Sequence, residues 1–226
     1  MHPTPLLFIH GALGCAEQFR ACFKADIPDH WHFPDLAGHG QRCADGFPDS
    51  LEAMADDLHN WIREKGFSQV DVFGYSMGGY VALLLASRPD HPIARITTLG
   101  TKMEWSPGIA AKESSRLNPD TMEAKIPAFA ERLAALHGQH WKALVRQTAA
   151  WLELLGSTTP LNADSFARIQ IPVRICLGSK DVMVGEAESR HAAASIPGAG
   201  FSLLEEEPHV LEQVSEASLR KLTVWP

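Results

Sequence analysis

One pentapeptide constrains this chain more than any other feature. Gly74-Tyr75-Ser76-Met77-Gly78 reads G-x-S-x-G. It directly follows the apolar run Val70-Asp71-Val72-Phe73 and opens an almost wholly apolar helical stretch, 76–88, that halts before Pro89. A strand that turns straight into a buried helix forces the serine between them into a strained backbone conformation and exposes its Oγ. Glycines flank it because side chains there would meet the neighbouring strand and helix. The motif therefore asks for strands followed by helices, with a hydroxyl presented at a strand's C-terminal end.

The rest of the chain has that rhythm. Leu6-Leu7-Phe8-Ile9 ends at His10-Gly11, and a weaker run, Trp31-His32-Phe33, ends at Pro34-Asp35. Ile93–Leu99 ends at Gly100, 173–177 at Gly178, and Phe201-Ser202-Leu203-Leu204 in an acidic loop. Short, nearly continuous apolar runs suit strands covered on both faces, as in a parallel sheet. Between them, Asp49-Ser50-Leu51-Glu52 reads as a capping box opening a helix that stops at Gly66, and 185–195 and 210–225 are the last helical stretches. The fold class expected is α/β, a mostly parallel sheet of about six strands with helices on both faces.

Residues 101–164 break the alternation with helical patterns only. Ser106-Pro107 and Asn118-Pro119 read as N-cap and N1 pairs, 127–137 closes at Gly138, and Trp141, Leu144, Val145, Thr148, Leu152 and Leu155 share one face of a further helix. This stretch holds seven basic and seven acidic residues, so the chain's net charge of −7 sits on the remainder. The expected organisation is a core of 1–100 and 165–226 with a neutral helical insertion at 101–164, either covering an apolar site or forming a small core of its own.

Composition narrows the function. The 226 residues are 45% hydrophobic and 21% charged, ordinary for a globular domain with a core large enough to need no staple. An acidic chain without a basic run is a poor partner for nucleic acid or an anionic membrane. No run approaches the ~20 apolar residues of a membrane span, and residues 1–10 lack the charge and apolar length of a secretory signal. Cys15, Cys22, Cys43 and Cys176 contain no C-x-x-C pair, which fits a reducing cytoplasm better than a disulfide framework or a zinc site. His137 and His140 are too few for a metal, so neither metal nor other cofactor is expected.

A serine hydroxyl becomes a nucleophile when a base takes its proton and a carboxylate orients that base. Asp181, in Gly178-Ser179-Lys180-Asp181, and His209, in Pro208-His209, follow successive strands in the order Ser, acid, His. Either alone reads as a turn residue; together they read as a Ser76–His209–Asp181 triad, with Glu104 a competing carboxylate. His10-Gly11-Ala12-Leu13-Gly14 can aim a backbone N–H at the serine, so the oxyanion donors expected are Ala12 and Met77, with Leu13 the alternative to Ala12.

These pieces together, with Asp35-Leu36-Ala37-Gly38-His39-Gly40 and Gly79, resemble the α/β-hydrolase fold superfamily across nearly the whole chain. The resemblance implies a lid inserted between later strands, here 101–164, and a structural role for Asp35 and His39. It also implies that the usual N-terminal hairpin is missing, because the His-Gly strand lies so close to residue 1. Dehalogenases of this fold carry aspartate at the Ser76 position. Many of its C–C bond hydrolases carry Asn where this chain has Tyr75, and its menaquinone-pathway lyase carries Arg where this chain has Tyr80. Three readings stay open: an ester or thioester hydrolase acting on a small, largely apolar molecule, a C–C bond hydrolase or lyase, and a ligand-binding protein with vestigial catalysis. Trp105, Trp141, Trp151 and Leu13 are the expected pocket residues, with Phe129 a further bulky lid group. Lys102, Lys112, Arg116 and Arg146 either hold a substrate carboxylate or form a solvated helix face. Oligomeric state is not legible.

Overall fold

The computed structural model describes residues 3–24 and 26–225; Met1, His2, Ala25 and Pro226, which fall in the expected core segments, lie outside the described residues. The chain opens with β1 (Leu6–Ile9), α1 (Ala16–Cys22), β2 (Trp31–His32) and α2 (Leu51–Glu64). β3 (Val70–Tyr75), α3 (Met77–Ala86) and β4 (Ile93–Leu99) follow. Five helices then intervene: α4 (Pro107–Ser114), α5 (Pro119–Lys125), α6 (Pro127–His137), α7 (Trp141–Ser157) and α8 (Ala163–Arg168). β5 (Val173–Lys180), α9 (Glu186–Ser195), β6 (Gly200–Pro208) and α10 (Glu216–Leu222) complete the chain.

Among the described residues six strands form one sheet, all parallel, in the order β2-β1-β3-β4-β5-β6. Successive residues of each strand feed opposite faces. Leu7, Ile9, Val70, Val72, Val173 and Ile175 join the core beneath α2, α3 and α9. Leu6, Phe8, Phe73, Tyr75 and Cys176 join a second core beneath α1 and α10. Both faces are dry, which is why the runs read as continuous rather than alternating. The order reverses at β1, so the chain leaves β1 toward one edge and β3 toward the other. Such a switch point opens a crevice beyond the strands' C-terminal ends, and the loops carrying Gly11 and Ser76 border it.

Several local readings meet a physical correction. Ser50 caps α2 by accepting the Ala53 N–H at 3.2 Å, so the third helical residue is an alanine and the reciprocal Asp49/Glu52 box does not form. The stretch 210–225 is not one helix: a short 3₁₀ turn (Leu211–Gln213) precedes α10. The buried Glu207 carboxylate draws in the Ser215 N–H at 3.0 Å and the Ser218 hydroxyl at 2.6 Å, and Ser215 starts a new helix as its cap. The expected insertion boundary at 164 falls inside α8, which Asn162 caps. Ser106 and Asn118 cap α4 and α5 with proline at the next position, as the sequence pairs predict.

Candidate active site

Ser76 stands between β3 and α3 with φ 52° and ψ −119°, a left-handed conformation that a residue with a Cβ seldom adopts. Its surroundings hold it there. Its N–H donates to the Leu99 carbonyl at 2.9 Å, and its own carbonyl accepts the Thr101 hydroxyl at 2.9 Å. A Cβ on Gly78 would lie 2.2 Å from the Ile9 carbonyl oxygen, and one on Gly74 would lie 2.5 Å from the Gly79 Cα. The two glycines let α3 press against β1 and β3, and that close approach makes the turn sharp. Met77 is the first residue of α3, where an N–H has no intrahelical acceptor and points out of the helix end.

Asp181 follows β5 and His209 follows β6, neighbours in register through Lys180 and Pro208. Asp181 Oδ2 faces His209 Nδ1 at 2.7 Å, with the carboxylate side chain 1% exposed and the imidazole 9%. The other carboxylate oxygen accepts the N–H groups of Met183 at 2.8 Å and Val184 at 2.9 Å, which fixes its rotamer. Nδ1–H therefore donates to the carboxylate. From the opposite side the Tyr75 hydroxyl donates to the His209 carbonyl at 3.0 Å, and burial pushes that phenol well above its usual range. The tyrosine preceding the serine thus pins the histidine loop, a role that sequence reasoning missed. Glu104 is exposed, and its backbone N–H donates to Glu188. The imidazole is paired with Asp181.

Two cavities meet at this point. One of about 120 Å³ is lined by Ala12, Ser76, Met77, Trp105, Trp151 and His209, among others, and is mostly apolar. The other, about 390 Å³, also touches Ala12, Ser76 and His209 and runs past Leu13, Arg116, Phe129 and Arg132. Trp105, Trp151 and Leu13 therefore border the cavities. Trp141 does not: it is 7% exposed within the main core. It shares the α7 face with Thr148, Leu152 and Leu155, which do line a cavity. It sits seven residues before Thr148, however, about 10 Å further along the axis and beyond the cavity's end. Among the expected cations Lys102 lines the smaller cavity and is paired with the buried Glu188 at 3.1 Å, while Arg116 lines the larger and pairs with Glu113 at 2.8 Å.

Beneath the site lie three buried histidines. His10 donates from Nδ1 to the Gly11 carbonyl at 2.9 Å and accepts the Leu36 N–H on Nε2 at 3.0 Å; burial lowers its pKa to about 4. His39 is set 3.0 Å from the Ala37 carbonyl, stacks on the Trp151 ring, and is lowered well below the usual imidazole value by burial. His137 is lowered by burial too and engages the protein backbone through both ring nitrogens. Asp35 ties α1 to the glycine loop by accepting the N–H groups of Ala16 at 2.7 Å and Gln41 at 2.9 Å. Among the described residues no group of three or more His, Cys, Asp and Glu side chains is arranged to hold a metal ion, and no helix is long and apolar enough to cross a membrane.

A model of the alpha/beta hydrolase fold matches residues 4–150. The chain is 26% identical to Lipase 1 of Psychrobacter immobilis over 225 residues, which span 91% of this chain and 71% of that one. Lipase 3 of Moraxella sp. (strain TA144) is 26% identical over 229 residues, with the same two shares. A solved thermophilic esterase from Thermogutta terrifontis superposes with a TM-score of 0.70 at 20% identity, over 98% of this chain and 87% of that one. The chain belongs to the α/β-hydrolase fold family. It is a hydrolase enzyme of that fold, and the two relatives matched over 91% of its length are lipases.

Proposed function

We propose that this enzyme cleaves carboxylic esters or thioesters of small, largely apolar molecules through an acyl-enzyme on Ser76. The observation that carries this reading is the 2.7 Å contact of a buried Asp181 with His209, beside a Ser76 held at φ 52° on the same cavities. Ser76 Oγ attacks the substrate carbonyl carbon while its proton passes to His209 Nε2. The imidazolium is stabilised by Asp181, which stays ionised. The N–H groups of Ala12 and Met77 receive the negative charge developing on the carbonyl oxygen. Collapse breaks the carbon–oxygen or carbon–sulfur bond, and the leaving alkoxide or thiolate takes the proton from His209. Water, deprotonated by the same nitrogen, then attacks the acyl carbon and releases the acid and a free Ser76.

The two cavities supply one side each for the acyl and leaving groups, and the smaller has room for a short chain. We read residues 101–164 as a lid, since α7 contributes much of the smaller cavity's wall and α6 much of the larger one's. Trp105 and Trp151 make the apolar pocket wall and Leu13 the larger one's. The test is a serine-directed fluorophosphonate. It should add once per chain, map to Ser76 and abolish hydrolysis of a short-acyl p-nitrophenyl ester. An adduct elsewhere, with Ser76 unmodified and activity lost, refutes the assignment.

A further inference from the structure

We propose that His137, the last residue of α6, is a positioning residue for the oxyanion side of the site, holding the turn that aims the Ala12 N–H. The inference rests on the ester-hydrolase reading above. It starts from a side chain that the triad does not use: His137 is 1% exposed and 124 residues away in sequence from the loop that it touches.

The hydrogen bonds define its protonation state. His137 Nδ1 lies 3.0 Å from the Gly40 backbone N, which can only donate, so Nδ1 carries a lone pair. The proton is then on Nε2, which donates to the Leu13 carbonyl at 3.0 Å. One neutral imidazole thus ties α6 to two core loops, and burial disfavours the imidazolium that would set two donors face to face.

The loop needs such a tie. Residues 11–14 form a tight turn closed by the Gly14 N–H on the Gly11 carbonyl at 3.1 Å, and Leu13 occupies its third position at φ 59°. That position in a turn of this hand favours glycine, and a leucine there is strained by about 1–3 kcal/mol. Strain of this kind persists only where surroundings over-determine the backbone. Relaxing the Leu13 φ means turning about its N–Cα bond, which displaces the Leu13 carbonyl relative to the Gly11-Ala12 segment that carries the donor. The His137 bond opposes that rotation directly. α6 also supplies Leu133 and Leu136 to the larger cavity wall. A single side chain therefore couples the wall that meets substrate to the donor that meets the oxyanion.

Two substitutions separate the two bonds. His137→Gln can still donate to the Leu13 carbonyl but loses the ring's rigid hold on Gly40. His137→Asn can still accept the Gly40 N–H but is too short to reach Leu13. A trifluoromethyl ketone, which forms a tetrahedral oxyanion adduct on the serine, reports the donor geometry. Removing an oxyanion donor outright costs about 10²–10³-fold in kcat. A donor misaimed in His137→Asn should cost about 10–100-fold in kcat and weaken the ketone in parallel, with KM changed by less than about threefold. His137→Gln should stay within about threefold of wild type on all three. The inference fails if the Asn variant keeps wild-type kcat and ketone affinity, if Gln is the worse of the two, or if only KM moves. Nitrogen NMR of wild-type imidazoles gives a check that needs no variant: His137 should be the neutral Nε2–H tautomer, and an Nδ1–H tautomer or an imidazolium at neutral pH overturns the hydrogen-bond assignment. A wild-type chain that neither turns over the ester nor binds the ketone overturns the ester-hydrolase reading and this inference with it.

Discussion

Mild acid should destabilise this protein through buried histidines outside the proposed triad. His10 is fully buried and makes hydrogen bonds that only the neutral ring satisfies, so its pKa falls from 6.5 to about 4. Between those values the unfolded chain binds a proton that the folded chain refuses. The stability held by the neutral ring is complete above pH 6.5, is lost as pH falls, and reaches its limit below about 4. At pH 5 the unfolded side gains a factor of about 30 relative to the folded side, or about 2 kcal/mol against almost nothing at pH 7. That is a large share of the 5–15 kcal/mol that a domain commands. His39 and His137, lowered by burial as well, act with the same sign.

Urea unfolding followed by tryptophan fluorescence reads this directly. With an m-value of about 2–3 kcal/mol/M, His10 alone should move the midpoint down by roughly 0.8 M between pH 7 and pH 5. Unfolding at pH 5 should take up close to one proton on its account. His10→Asn keeps a donor for the Gly11 carbonyl and does not titrate, so it should flatten that part of the slope whatever its own stability. A midpoint unchanged from pH 7 to pH 5, or an Asn variant with the wild-type slope, would refute the argument.

Other outcomes follow from the site. Asp181→Asn should lower kcat by up to ~10⁴-fold because the imidazole loses the acceptor that fixes its tautomer, whereas Glu104→Gln, at an exposed carboxylate, should cost well under ~1.4 kcal/mol in transition-state stabilisation; the reverse order in steady-state assays would show that the wrong acid has been chosen. His209→Ala should lose about 10³-fold or more in kcat, and near-normal turnover in that variant would remove His209 from the mechanism. Gly78→Ala puts a methyl against the Ile9 carbonyl and should lower stability by about 1–3 kcal/mol or more, so a wild-type melting temperature with full activity would contradict the close approach described. Prolonged chelation should leave hydrolysis unchanged, and activity lost to a chelator and restored by one divalent ion would overturn the metal-free mechanism.

The positions proposed for the chemistry can be read as strand ends because each announces itself within a few residues. A parallel strand covered on both faces is a short unbroken apolar run, and its C-terminal end is marked by the glycine or turn residue that follows. Ser76, Asp181 and His209 all sit at such ends, so their order along the chain is readable without the 2.7 Å contact that the fold makes between Asp181 and His209. Errors arose where the deciding partner was remote or the periodicity ran past its boundary. The apolar periodicity of α7 is correct, yet it could not say that Trp141 lies beyond the cavity while Trp151, on the same helix, stacks on His39. The 210–225 stretch looks helical until Glu207, at the end of β6, claims the Ser215 N–H.

His137 is the sharpest case. In sequence it is one of eleven histidines, set three residues from another, and a metal was the natural question to ask of it. Nothing local marks it, because both of its partners are backbone atoms, at Gly40 and Leu13, and a backbone atom has no residue type to recognise. The only hint is Leu13, a leucine at a turn position that favours glycine. Such a residue signals that something elsewhere in the chain holds the turn, without saying what. Residues that perform chemistry can be found by their type, whereas a residue that positions them through the main chain has to be found by the strain it supports.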